Sequence, residues 1–406
     1  MIILSIETSC DETAVSILEA SGTETDAVFR VRGNALYSQV AKHAPYGGVY
    51  PSLAKREHAA NLIPLTKTAL KQARMSAPGE ATLADDTRRQ IEQLLVREPG
   101  AYDALIRDLS TVARPQIDAI AVTYGPGLEP ALWVGINVAR ALGILWDAPL
   151  IPVNHLEGHL VASAVSQDSE HEHIYALQHI AFPALGLVLS GGHTEFVHAT
   201  TWGTYTECGG TRDDSIGEAF DKVARILGLP YPGGPEISRL AEKGRALLLQ
   251  HSITTLTGLR PLPRPMLQSG DSDFSFSGLK TAVKYLVRDL GEPTDEQRAC
   301  IAAEFENAVT EVVLAKVAFT LSNHPSTTFI LGGGVSANVY LRTRLEALFS
   351  QESKTTLRLP APGLSTDNAI MIGMAAYLQH LRNEPPQHAT VDLYAHGTLP
   401  LSTRHG

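Results

Sequence analysis

The sequence predicts an α/β fold built from two related lobes. Three observations carry that prediction. A strand–polar turn–strand pattern occurs at residues 2–18 and again at 184–199, about 180 residues apart. Apolar runs ending in glycine turns lead into helix-like stretches, at 117–145 and again from 328. With 406 residues, 44% of them hydrophobic, the chain can build two or three domains with real cores.

The totals exclude several classes. No run of about 18 uncharged apolar residues occurs, so no membrane span is expected. The start, Met1-Ile2-Ile3-Leu4-Ser5-Ile6-Glu7, lacks the basic segment and cleavage site of a signal peptide. Cys10, Cys208 and Cys300 lie far apart, which fits a reducing cytoplasm and no disulfide framework. The net charge of −10 argues against a surface coated in basic residues for nucleic acid. A local basic patch, or partners that supply one, is compatible with it.

In chain order, residues 2–6 read as a buried strand, 7–13 as a polar turn and 14–18 as a returning strand. Such a turn offers hydroxyls and N–H groups to a phosphate, and its acids can hold a metal; an ordinary polar hairpin is the alternative. A glycine-rich loop over 38–51 precedes a helix from Ser52 to about Ala73, whose Lys55, Arg56 and His58 are either a basic contact surface or a plain solvated face. Residues 74–115 read as a helical insertion: Ala77-Pro78-Gly79 breaks the chain, and 85–96 and 101–113 have amphipathic spacing. Residues 117–123 read as a strand, and 134–145 as a helix. At 184–199 the hairpin returns around Ser190-Gly191-Gly192-His193-Thr194, whose glycines let backbone N–H groups approach an anion. A nucleotide phosphate chain between two such hairpins is the logic of the actin/Hsp70/sugar-kinase architecture. Asp213 and Asp214 fit helix capping before 215–224. Residues 273–280 alternate Ser and Phe, either a β segment or a loop lining a channel. The strand–glycine–helix turn at 328–338 can lie against a nucleoside, with Asn338 near a ribose or base edge. Ser365 or Thr366 would cap a final helix to Leu381, placing Asp367 in its first turn. The tail from Asn383 reads as irregular and loosely held.

The stretch Asn154-His155-Leu156-Glu157-Gly158-His159 is the chemical centre of the chain. On a helix, His155 and His159 lie about 40° apart round the axis and can grip one metal ion, a third ligand coming from elsewhere. Two histidines on a surface helix is the plainer reading of the pair alone. The zinc-protease pattern His-Glu-x-x-His does not apply, because Leu156 stands where its Glu would be. Glu157, at i+2, points off the metal face.

Taken together, the segments 6–13, 47–51, 125–128, 154–159, 190–194, 217–222, 231–235, 274–280, 332–338 and 366–369 resemble, in order and spacing, the TsaD family. These are tRNA N6-adenosine threonylcarbamoyltransferases, formerly described as O-sialoglycoprotein endopeptidases. The likeness spans about 2–380 apart from the insertion, and it is of the bacterial or organellar type, without a fused kinase. It implies an actin/Hsp70/sugar-kinase (ASKHA) fold of duplicated mixed-sheet domains with an active site in the cleft between them. The first lobe would span 1–150, joined by a return helix at 366–382; the second would span 151–365. The resemblance implies one divalent metal ion per subunit, usually Fe2+ or Zn2+, on His155, His159 and Asp367. It carries over Val188, Leu189, Ser190, Gly191, Gly192, Asp221, Gly234 and Asn338 as contacts to threonylcarbamoyl-AMP, and Glu12 as an acid for the transfer. Ser52, Pro130 and Ser365 depart from the family pattern; none is among the implied metal or nucleotide ligands, so the departures bear on loop geometry rather than on the activity.

The implied reaction is attack by N6 of adenosine 37, in tRNAs reading ANN codons, on the carbamoyl carbon of threonylcarbamoyl-AMP. The metal would act as a Lewis acid, the 190–192 turn as an anion clamp, and Glu12 as orienting group or base. Partners would be tRNA, a non-catalytic paralogue of the TsaB type and an ATPase of the TsaE type, with no membrane. A small-molecule kinase on the same fold and a non-catalytic scaffold are the alternatives; the three ligand residues speak against both.

Overall fold

The structure is a computed structural model that describes residues 1–79, 83–250, 259–352, 354–384, 386–389 and 391–402. Its elements run β1 (Ile2–Glu7), β2 (Glu12–Ser21), β3 (Val28–Ser38), α1 (Val40–His43), α2 (Pro51–Gln72), α3 (Asp85–Leu94), α4 (Pro99–Asp108), β4 (Ala119–Gly125) and α5 (Glu129–Trp146). Next come β5 (Leu150–Asn154), α6 (His155–Ser163), β6 (Val165–Gln167) and β7 (Ile174–Leu177). The later part holds β8 (Ala184–Leu189), β9 (Thr194–Thr201), β10 (Thr204–Gly210), α7 (Ile216–Ile226), α8 (Gly233–Gln250), α9 (Ser277–Leu290) and α10 (Asp295–Asn323). It ends with β11 (Thr328–Gly332), α11 (Val339–Glu352), β12 (Thr356–Arg358) and α12 (Ala369–Leu381).

Of these residues, two compact units form. The first takes in Met1–Ala41, Val49–Ile180 and Pro360–Leu401; the second takes in Lys42–Gly48 and Ala181–Leu359. The first unit runs past residue 150, where the sequence placed its edge. The reason is pairing: β5 extends the sheet beside β4, and β7 joins β3 at Val28–Arg30. The metal stretch therefore belongs to the first unit, as does α12.

The first unit's sheet has the order β5-β4-β1-β2-β3-β7-β6. β1 runs antiparallel to β2 and parallel to β4, and β4 runs parallel to β5. Strand alternation sorts β1 into two faces. Leu4 and Ile6 join the core with Ile63 and Leu70 of α2 and Ile136 and Val138 of α5. Ser5 faces the other way and donates to the carbonyl of Ala369, at the start of α12, at 2.6 Å. Glu7 shares Ser5's face, and that parity puts a carboxylate where α6 begins.

The second unit's sheet has the order β10-β9-β8-β11-β12. β8–β9 and β9–β10 are antiparallel; β8–β11 and β11–β12 are parallel. The first unit's β3-β2-β1-β4-β5 repeats that order with the same strand senses, so the duplication expected from the two hairpins extends to both sheets. Leu185, Leu187 and Leu189 of β8 pack with Ile216 and Val223 of α7, Ile237 of α8 and Phe305 of α10.

Several local readings change. His58 is fully buried in α2, with Nδ1 2.8 Å from Thr13 Oγ1 and Nε2 2.9 Å from the Cys10 carbonyl; it is not a surface cation. Lys55 pairs with buried Glu98 at 3.2 Å. The insertion's helices are shorter than their apolar spacing suggested, at Asp85–Leu94 and Pro99–Asp108. Asp213 caps α9 rather than α7, accepting from the N–H groups of Phe276 (2.8 Å) and Ser277 (3.2 Å). The tail is irregular but held: Gln387 and Leu150 exchange backbone bonds at 2.7 Å, and Ala389, Leu393 and Leu401 are buried. Residues 80–82 of the insertion and 385, 390 and 403–406 of the tail lie outside the described residues.

Candidate functional site

The first unit gathers the two histidines and the aspartate. β5 ends at Asn154, whose side chain accepts from Leu156 N at 2.9 Å and so caps α6. The helix starts at once, which puts His155 at its first position and His159 one turn on. Every residue of α6 is buried. The two imidazoles meet edge to face, with ring centroids 4.6 Å apart. Oδ1 of Asp367 lies 3.1 Å from Nε2 of His159 and 3.5 Å from Nε2 of His155. One ligand atom from each residue falls within 4.8 Å of the others. Asp367 comes from just before α12 rather than from its first turn, because Asn368 is the cap and accepts from Met371 N at 2.9 Å. The donor set suits a divalent ion: two imidazole nitrogens and one carboxylate leave coordination positions open. Nε2 and Nδ1 of His159 are buried without an aligned hydrogen-bond partner, which is costly in a packed interior unless a ligand completes the site.

Behind His155 stands Glu7, with no exposed surface. Its Oε2 lies 3.1 Å from His155 Nδ1 and accepts from Thr123 Oγ1 at 2.6 Å; its Oε1 accepts from Ser9 N at 2.5 Å. Burial would raise the Glu7 carboxyl, but the charge and hydrogen bond of His155, with the Thr123 hydroxyl, hold it below the usual range. Burial pushes His155 down, yet Glu7 and Asp367 together bring it up to about 9. For His159 burial prevails and its pKa falls. Glu12 is the first residue of β2, and its Oε1 accepts from Ser38 Oγ at 3.2 Å. Burial, then the charges of Asp11 and Asp367, push its pKa up to about 10.

The second unit holds the remaining expected contacts. Val188 and Leu189 are the buried last residues of β8. Ser190 N closes the turn on the His193 carbonyl at 2.8 Å, and Ser190 Oγ accepts from His193 N at 3.0 Å. The cap of α7, Ser215, donates to the Gly191 carbonyl at 2.5 Å, so the helix start and the turn are tied together. A Cβ placed on Gly191, Gly192 or Gly234 would meet nothing within 4 Å, leaving those backbones open to a ligand. Asp221 Oδ1 accepts from Gly233 N at 2.7 Å and braces the start of α8, which opens with Gly233 and Gly234. Asn338 is heavily committed. Its amide donates to Ser238 Oγ (2.9 Å) and Glu306 Oε1 (2.7 Å), and its Oδ1 accepts from Leu341 N (2.8 Å). What it can offer a nucleoside is one remaining lone pair. Sequence reasoning did not single out Glu7, Thr123, Ser238 or Glu306; an acid closing an apolar strand was the one available signal, at Glu7.

No helix among the described residues is long and apolar enough to cross a membrane. The family model described as TsaD, tRNA N6-adenosine threonylcarbamoyltransferase, matches residues 30–79 and 96–374. The unmatched 80–95 falls inside the insertion. A tRNA N6-adenosine threonylcarbamoyltransferase of Thermomicrobium roseum is 40% identical, covering 100% of this chain and 98% of the relative. One from Methylobacillus flagellatus is 40% identical over 93% of each chain, and one from Moorella thermoacetica 39% identical over 98% of this chain and 97% of the relative.

Proposed function

The chain belongs to the tRNA N6-adenosine threonylcarbamoyltransferase family, and from that premise we propose that it moves the threonylcarbamoyl group of threonylcarbamoyl-AMP to N6 of adenosine 37 in tRNAs reading ANN codons. The amine forms a bond to the carbamoyl carbon, the bond from that carbon to the phosphate oxygen breaks, AMP departs and the amine loses a proton. The observation that carries this reading is the buried cluster of His155, His159 and Asp367, whose ligand atoms lie within 4.8 Å of one another. These residues would hold one divalent ion, Fe2+ or Zn2+, which when bound polarises the carbonyl and offsets developing negative charge.

The other roles fall to the chain's own groups. The 190–192 turn would receive the phosphate at the Gly191 N–H, where no Cβ stands in the way; the N–H groups of Ser190 and Gly192 close the turn on His193 and on the Ser190 hydroxyl. Asp221 holds the α8 start so that the Gly234 backbone lies against the adenylate, and Asn338 offers its free lone pair. Glu12 would orient the amine or accept its proton. A TsaB-type paralogue and a TsaE-type ATPase would assist, and the cytoplasm is the setting.

The test is to incubate the protein with threonylcarbamoyl-AMP, unmodified tRNA and those two partners, then digest the RNA for mass spectrometry. Threonylcarbamoyladenosine at position 37, formed one to one with AMP, is the expected result. ATP-dependent phosphorylation of a small molecule with unmodified RNA would overturn the reading.

A further inference from the structure

We infer that Glu7 is a positioning residue that fixes His155 as a metal ligand, an inference that rests on the reading of His155, His159 and Asp367 as a metal site. The argument is hydrogen-bond accounting around one buried carboxylate. Burying a carboxylate is expensive unless its oxygens are satisfied. Glu7 has no exposed surface, and its oxygens take the Ser9 N–H at 2.5 Å and the Thr123 hydroxyl at 2.6 Å. The third neighbour is Nδ1 of His155, at 3.1 Å. An ionised carboxylate only accepts, so Nδ1 must carry the proton in that contact. The Ser9 hydroxyl, 3.2 Å from the same Nδ1, offers that proton a second acceptor. In the neutral ring, the form that binds a metal, the tautomer is then set: Nε2, the nitrogen 3.5 Å from Asp367 Oδ1, keeps the lone pair. The ring plane is set too, because its back edge is tied to β1 and, through Thr123, to β4.

This arrangement explains why an acid closes a buried, mostly apolar strand. A hydrophobic side chain at position 7 would fill the space and spare the desolvation cost. It would leave Nδ1 without its acceptor and let the ring turn or the proton move to Nε2. A carboxylate behind a histidine ligand raises the basicity of the nitrogen facing the metal and restricts its orientation.

The experiment is Co2+ titration of the full-length protein, followed by competition with Zn2+ and by the visible Co2+ spectrum. Wild type would be compared with Glu7→Gln, Thr123→Val, Thr123→Ser and His155→Ala. Glu7→Gln keeps the volume but loses the charge, and the expected result is metal affinity about 10–100-fold weaker with an altered Co2+ spectrum. Thr123→Val, which removes the hydroxyl that holds Glu7, should shift the spectrum and weaken binding several-fold, and Thr123→Ser should restore both. Wild-type affinity and spectrum in Glu7→Gln would overturn the inference. If Glu7→Gln does not fold, equal binding by the two Thr123 variants would overturn it instead. Full binding by His155→Ala would overturn the metal reading itself, a result distinct from a failure at Glu7 alone.

Discussion

Glu157 joins the two segments that carry the histidines and the aspartate, and the cost of removing it can be worked out from the structure. It sits on α6 between His155 and His159, pointing away from them. Its Oε1 accepts from Arg382 Nη2 at 3.1 Å and its Oε2 from Gln379 Nε2 at 3.1 Å, both at the end of α12. The Glu157 side chain is 5% exposed and that of Arg382 14%. Glu157→Ala would leave a guanidinium and an amide donor facing a small cavity. Breaking a buried pair from one side costs about 3–5 kcal/mol. Arg382 keeps a second acceptor in Glu384, at 2.8 Å near the surface, so the lower end applies. At 2–4 °C per kcal/mol for a unit of this size, the melting transition should fall by on the order of 10 °C. Replacing both partners by apolar residues, Glu157→Leu with Arg382→Met, should recover most of that loss, because no unpaired charge remains. Differential scanning calorimetry of the three proteins reads the effect. A single variant that melts within 2 °C of wild type, by this estimate, would refute the reasoning that α6 and α12 are clamped through Glu157.

Three further outcomes follow from the same geometry. Gly233→Ala would drive a Cβ to 2.6 Å from that of Ala224 and 2.7 Å from Asp221 Cα, so it should lower the urea midpoint, at a cost of about 1–3 kcal/mol. Gly234→Ala meets nothing within 4 Å and should leave the midpoint unchanged while weakening AMP binding, measured by calorimetric titration; unchanged AMP affinity would count against the backbone contact. Burial, helped by the charge of Glu207, raises Glu195 from 4.5 to about 7. A raised folded pKa means its stabilising contribution is complete below about pH 4.5 and lost as pH climbs through 7. Glu195→Gln should therefore lose less stability than wild type between pH 5 and pH 8 in parallel urea melts, and parallel slopes would contradict that.

The sequence revealed the main architecture because its signals are local. Two strand–turn–strand stretches became β1–β2 and β8–β9, and the glycine turn at 332–338 became the link from β11 to α11. The i, i+4 spacing of His155 and His159 needed only helical geometry, and Asn154 supplied the start. What was hidden depended on partners remote in sequence. Residue 150 looked like a lobe boundary because nothing local shows that β7 will add to β3. His58 looked like a surface cation because its partners, Thr13 and Cys10, lie more than 40 residues upstream. Asp367 was placed in a first turn because Thr366 is as good a cap on paper as Asn368. Glu7 was read only as one acid of the 7–13 turn because its three donors come from Ser9, Thr123 and His155, brought together only when β1, β4 and α6 assemble.

The most direct test of the central claim is transfer of isotope-labelled threonine from threonylcarbamoyl-AMP to unmodified tRNA, measured beside bound-metal content in wild type and His155→Ala, with partners supplied. The account predicts label in tRNA and stoichiometric metal for wild type, and the loss of both in the variant. Transfer at the wild-type rate by a His155→Ala protein that holds no metal would contradict it.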